Sequence, residues 1–146
     1  MSSIVDLTTL LPKWQKILRL EDWDIHVKMV RHYELAGGEN AGSCHYSVTL
    51  REATLQVMDP IDNSHEYPED IEEVLVHELV HLVFSGIDNG ETGQIEGASR
   101  IFYEQAVEAT ARALIRLDRQ AALARLEGES KCLEASIQTL NSLRSK

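Results

Sequence analysis

Apolar and polar positions along this 146-residue chain recur with two different periods, and each change of period marks an element. From Asp6 to Leu20, Leu10, Leu11, Trp14, Ile17 and Leu18 return at helical spacing, with Pro12 tolerable only in a first turn, so an amphipathic helix is expected. The run WDIHVKMV then alternates, placing Trp23, Ile25, Val27 and Met29 on one side and Asp24, His26 and Lys28 on the other, as a half-buried strand does. ELAGGENAG reads as a glycine-rich loop, and two further alternating runs follow, Tyr46–Leu50 and Ala53–Met58, with Arg51-Glu52 as their tight connection.

The next apolar run is continuous. Pro68, Glu69, Asp70, Glu72 and Glu73 make a favourable helix start, with proline at the first position and acids at the positive end of the dipole. The helix they open contains VLVHELVHLVF (residues 74–84) and is expected to stop at Ser85-Gly86, with glycine in the left-handed conformation and Ile87 closing the cap. From Ala98 to Leu126 there is neither proline nor glycine, which predicts one long helix or two nearly collinear ones. Gly128 is expected to break it, and Leu133, Ile137, Leu140 and Leu143 then form a narrow stripe on a C-terminal helix. The expected architecture is α+β: a leading helix, a three-stranded, mainly antiparallel sheet, the HELVH helix, a long helix and a C-terminal helix. Residues 1–127 would form the domain, with residues 128–146 packing back on it or mediating self-association.

Composition narrows the function classes. Twenty-four acidic against fourteen basic side chains give a net charge of −10, a field that repels nucleic-acid phosphates and anionic membrane surfaces. The opening MSSIVDLTTLLPKWQK lacks the pattern of an export signal, and no run reaches the roughly 18 apolar residues of a membrane span, so a cytoplasmic chain is expected. Cys44 and Cys132 form no C-x-x-C pair and read as two reduced thiols.

The chemistry sits in the apolar run. On a helix, His77 and His81 fall roughly 40 degrees apart, with Glu78 on the flank of the same sector, so the three side chains converge. The helix around them is apolar nearly all round, which predicts burial, and a buried imidazole or carboxylate without a partner costs several kcal/mol, on the order of what a bound cation can offset. H-E-x-x-H supplies two neutral imidazoles to one ion and a glutamate placed to hold a water. No histidine follows His81, so the third ligand is expected to be a carboxylate. FYEQAVEATARAL offers Glu104 and Glu108 on a side that also carries Ile101, Ala111 and Ile115. One of them would bind the metal and the other would accept from a histidine's second ring nitrogen, unless Glu108 simply pairs with Arg112.

HELVH followed at this distance by E-x-x-x-E resembles the gluzincin branch of zinc metallopeptidases, in particular their minimal single-domain forms in bacterial and prophage genomes. The likeness covers about residues 6–117. It implies a small zincin-like fold, one Zn2+ held by His77, His81 and Glu104, Glu108 supporting a zinc-binding histidine, and Glu78 as general base in peptide hydrolysis. Some related forms carry Glu-x-x-Ala-Asn in this helix, where this chain has Glu104, Val107 and Glu108. Tyr46, His45, His65, Tyr67 and Tyr103 are candidate donors to an oxyanion, and Ala53–Met58 is the candidate sheet edge for an extended peptide substrate. Two other readings share the residues: a metal-stabilised interaction module working through the C-terminal helix, as a homo-oligomer or with another partner, and an amidase acting on a non-protein amide.

Overall fold

The computed structural model describes residues 6–35, 41–59, 70–88 and 97–144. The chain divides into two compact units, Met1–Arg112 and Ala113–Lys146.

In the first unit, α1 (Leu7–Leu18) starts on Asp6, whose side chain accepts from the Thr8 backbone N–H, and ends on Arg19 in the left-handed conformation (φ 57°). Pro12 therefore lies in the second turn, not the first as expected. It removes the N–H that would bond the Thr8 carbonyl, but Pro12 and Thr8 are both exposed, so that carbonyl stays in reach of water. Trp14 is fully buried, and its Nε1 donates to Glu72 Oε1 at 2.9 Å, an oxygen that also accepts from Lys13 Nζ at 2.9 Å. This shared acceptor ties α1 to α2 (Ile71–Val83) while giving the indole N–H the partner that burial demands.

The strands are β1 (Asp24–Val30), β2 (Gly42–Ser47) and β3 (Glu52–Met58), in the sheet order β1-β3-β2. β2 and β3 are antiparallel, joined by a tight link in which Arg51 adopts φ 54° and pairs with Asp22. β1 and β3 are parallel. The sheet is thus mixed, in place of the mainly antiparallel sheet expected: period-two alternation shows that a run is a strand but carries no information on which strand lies beside it. β3 is central and bonded on both sides, so Ala53–Met58 is not a sheet edge; among the described residues β1 and β2 occupy the edges. The central position fits its content, with Ala53, Leu55, Val57 and Met58 all buried.

α2 begins at Ile71 on Asp70, whose carboxylate accepts from the backbone N–H groups of Glu72 and Glu73. Pro68 and Glu69 lie outside the described residues. The expected glycine stop does not occur: the helix ends at Val83 through Phe84 (φ −92°, ψ 7°), and Gly86 falls inside the short α3 (Ser85–Asp88). α4 runs Ala98–Arg144, its residues up to Arg112 in the first unit and the remainder in the second. It passes through Gly128, where a break was expected. One glycine costs a helix about 1 kcal/mol relative to alanine, too little to end a segment flanked by strong helix formers. Among the described residues no helix is long and apolar enough to cross a membrane.

Candidate metal centre

α2 carries its polar trio in a nearly dry setting. Leu75, Val76, Leu79 and Val80 are fully buried, and Glu78 and His81 are the buried polar side chains among them. α4 supplies the facing residues. Its buried face in the first unit is Tyr103, Val107 and Ala111, at helical spacing, with Glu104 and Glu108 partly exposed. Ile101, expected on that face, is 60% exposed; it sits about a third of a turn from the middle of the Tyr103–Val107–Ala111 stripe.

Both histidines are held by one ring nitrogen and present the other to the same place. His77 Nδ1 lies 2.9 Å from Glu108 Oε2, and His81 Nδ1 lies 3.1 Å from the Tyr103 hydroxyl. The two Nε2 atoms converge on Glu104 Oε2, at 3.8 Å from His77 and 3.6 Å from His81. When each Nδ1–H is donated to its oxygen partner, the Nε2 lone pairs point at Glu104, the tautomer a metal ligand requires. Ligand atoms on a tetrahedral zinc with bonds of about 2.0–2.1 Å sit about 3.3–3.4 Å apart. The three ligand atoms of His77, His81 and Glu104 all lie within 4.8 Å of one another, so the donor set and its spacing fit a divalent cation. Glu104 rather than Glu108 completes the group. Glu108 is turned to the outer nitrogen of His77, the supporting place the resemblance implies.

Each carboxylate uses its second oxygen on an arginine one turn away. Arg100 Nη2 meets Glu104 Oε1 at 2.7 Å, and Arg112 Nη2 meets Glu108 Oε1 at 2.5 Å. Arg112 also donates through Nε to Glu73 Oε1 on α2, at 3.0 Å. The pairing of Glu108 with Arg112 and its bond to His77 therefore coexist, one oxygen each, and Glu73–Arg112–Glu108–His77 is a continuous chain of contacts between α2 and α4. Such ties fix the rotamers of groups that would otherwise swing freely at the margin of the site.

Glu78 belongs to the same neighbourhood on its dry side. Burial, and then the nearby charge of Glu104, push its carboxyl up to about 8. The strand β2 makes room for it: a Cβ on Gly42 would stand 2.7 Å from Glu78 Oε1 and 2.8 Å from Val74 Cγ1. Only glycine lets the strand come this close to the motif helix.

Of the expected oxyanion donors, Tyr103 is in the site but engaged with His81. Tyr46 stacks edge-on with Trp23, ring centroids 6.2 Å apart, and is four residues along β2 from Gly42, roughly 13 Å at strand rise. His45 is exposed, and His65 and Tyr67 lie outside the described residues. Gly42, Arg100 and the supporting role of Tyr103 were not anticipated. The Arg100–Glu104 pair had a signal, its i,i+4 spacing, whereas nothing in the glycine-rich run marked Gly42 as part of the site. Comparison with known proteins gives no matching family model, no matching curated protein and no matching solved structure.

Proposed function

We propose that this chain is a zinc-dependent peptidase of the gluzincin type, with His77, His81 and Glu104 as the metal ligands and Glu78 as the general base. The observation that carries the reading is the convergence of His77 Nε2, His81 Nε2 and Glu104 Oε2 while the outer atoms of all three are tied to Glu108, Tyr103 and Arg100. Zinc in such a site supplies Lewis acidity and lowers the pKa of water towards about 7. Glu78 follows the first ligand on the same turn of helix. With the positive charge of a bound cation favouring its ionised form over the raised value it has without one, its carboxylate would accept the proton of the attacking water and return it to the leaving amine, a role worth typically about 10²–10⁴ in rate. Glu108 and Tyr103 hold the two imidazoles in the ligating tautomer, and Arg100 keeps Glu104 from swinging out to solvent. The dry wall of Leu75, Leu79 and Val80 behind the trio keeps bulk water from competing for these contacts.

Metal analysis after reconstitution with Zn2+ is expected to give about one zinc per chain and a higher melting temperature, since a ligand that binds only the folded state stabilises it. Glu78→Gln should retain zinc and lose at least about a hundredfold in cleavage of a mixed peptide library. A chain that takes up no divalent ion sinks the site. Retained zinc with undiminished cleavage by Glu78→Gln sinks the role of Glu78 alone.

A further inference from the structure

From Leu123 to Leu140 the large apolar residues of α4 follow a period of seven, not the wider stripe of a helix packed on a core. Leu123, Ser130 and Ile137 fall at one position of a heptad and Leu126, Leu133 and Leu140 three residues later, the a and d positions of a coiled-coil seam. All five apolar members are exposed, between 49% and 65%. Gly128, which breaks the pattern of helix formers, falls at f, on the side away from the seam, where a Cβ would meet nothing. Three of the four residues that border the seam are acidic, Glu127 and Glu134 at e and Glu129 at g, all exposed, and the fourth, Ser136 at g, carries no charge.

This border decides what can cover the face. In a parallel pairing with a second copy, g of one helix meets e of the next heptad in the other, which sets Glu129 against Glu134 twice over. An antiparallel pairing that aligns the apolar layers, Leu123 with Leu140 and Leu126 with Ile137, sets Glu127 against Glu134, again twice. Charges at e and g choose coiled-coil partners and orientation, and like charges there are unfavourable. The net charge of −10 adds to the repulsion between copies.

We propose that the seam on residues 123–140 docks a helix of another protein, one with apolar a and d positions and Lys or Arg at its e and g positions, and that it does not pair with a second copy of this chain. The apolar layers supply affinity and the acidic border supplies the choice of partner.

The test uses the full chain and three synthetic peptides of equal length: Leu at a and d with Lys at e and g, the same seam with Glu at e and g, and Ala at a and d with Lys at e and g. Titration calorimetry at low salt should show one-to-one binding of the Leu/Lys peptide at least tenfold tighter than either other, weakening as salt is raised. Leu133→Glu with Ile137→Glu should weaken it at least tenfold, and circular dichroism reports whether the helix is retained. Glu127→Lys with Glu129→Lys and Glu134→Lys, which leaves the seam intact, should reverse the preference towards the Glu-bordered peptide. Sedimentation of the chain alone as a dimer at low micromolar concentration would overturn the proposal in favour of self-pairing. Equal binding of the Ala/Lys and Leu/Lys peptides would overturn it in favour of generic attraction to an acidic protein, and binding of neither Leu peptide would overturn it outright.

Discussion

α2 and the part of α4 beyond Arg112 are built from similar apolar letters and end in opposite situations. Nine of the thirteen residues of α2 are buried, two of them ionisable. In the later part of α4, Leu117, Leu123, Leu126, Leu133, Ile137, Leu140 and Leu143 are all exposed. The difference lies in period. α2 is apolar around its whole circumference, so every direction it faces must be covered, and the polar groups it carries inward must find partners there. Past the buried Ile115, the α4 segment carries Leu123, Leu126, Leu133, Ile137 and Leu140 along one narrow line, with Leu117 and Leu143 off it, and nothing in its own unit requires that line to be covered. Burial of Glu78 and His81, with His77 partly buried beside them, thus makes the trio a cluster with fixed partners, whereas exposure leaves the leucines of the tail as a surface.

The widest separation between the two helices should appear on truncating one leucine in each. Leu79 is fully buried, so Leu79→Ala removes apolar contacts and leaves a cavity, costing about 2–5 kcal/mol, whereas Leu133→Ala, on an exposed face, should cost under about 0.5 kcal/mol. Denaturant unfolding of the two variants checks this. Similar losses would mean that the tail is covered in solution and that the contrast drawn from exposure is wrong.

A middle-sized effect tests how tightly the buried helix is enclosed. Gly42→Ala places a methyl group against Glu78 and Val74, an overpacking expected to cost about 1–3 kcal/mol. Val74→Ala removes one of the two atoms in the way. The double variant should therefore be less destabilised than the sum of the singles, with a coupling of about 0.5 kcal/mol or more in a double-mutant cycle. Strict additivity would show that β2 does not press on α2 at this point.

What the amino-acid pattern revealed, and what it hid, follows the same division. The trio on α2 was legible because H-E-x-x-H fixes the relative direction of its side chains within a single helix, and Glu104 was legible as an acid at the right distance on another. The α+β class, the N-terminal helix and the first and third strands followed from period alone; the second strand is Gly42–Ser47, mostly ahead of the expected Tyr46–Leu50, and the connection is residues 48–51 rather than Arg51-Glu52. The order of strands did not follow from period, because Ile25, Leu55 and Tyr46 alternate alike whether their neighbour runs parallel or antiparallel. Gly42 was hidden for a different reason: a glycine that permits close approach and a glycine that permits a loop leave the same letter, and only Val74 and Glu78 across the gap tell them apart. Ile101 was misplaced by assigning a face from two glutamates that lie at its margin instead of from Tyr103, Val107 and Ala111.

Gly128 gives the smallest and sharpest test of the contrast. If the tail is one continuous helix, as α4 is, the glycine at its f position contributes only backbone freedom, since beyond its own turn of helix backbone nothing lies within 4 Å of where a Cβ would be. Gly128→Ala should then strengthen the helix by about 1 kcal/mol, raising the midpoint at which helical circular dichroism is lost from the tail while leaving the unfolding of the first unit unchanged. If the glycine instead serves as a left-handed break between two helices, alanine would be strained there and the same substitution would weaken the tail. The sign of one small change therefore decides whether the seam on residues 123–140 is a single surface or two short ones, and with it whether the tail presents enough consecutive layers to hold a partner helix.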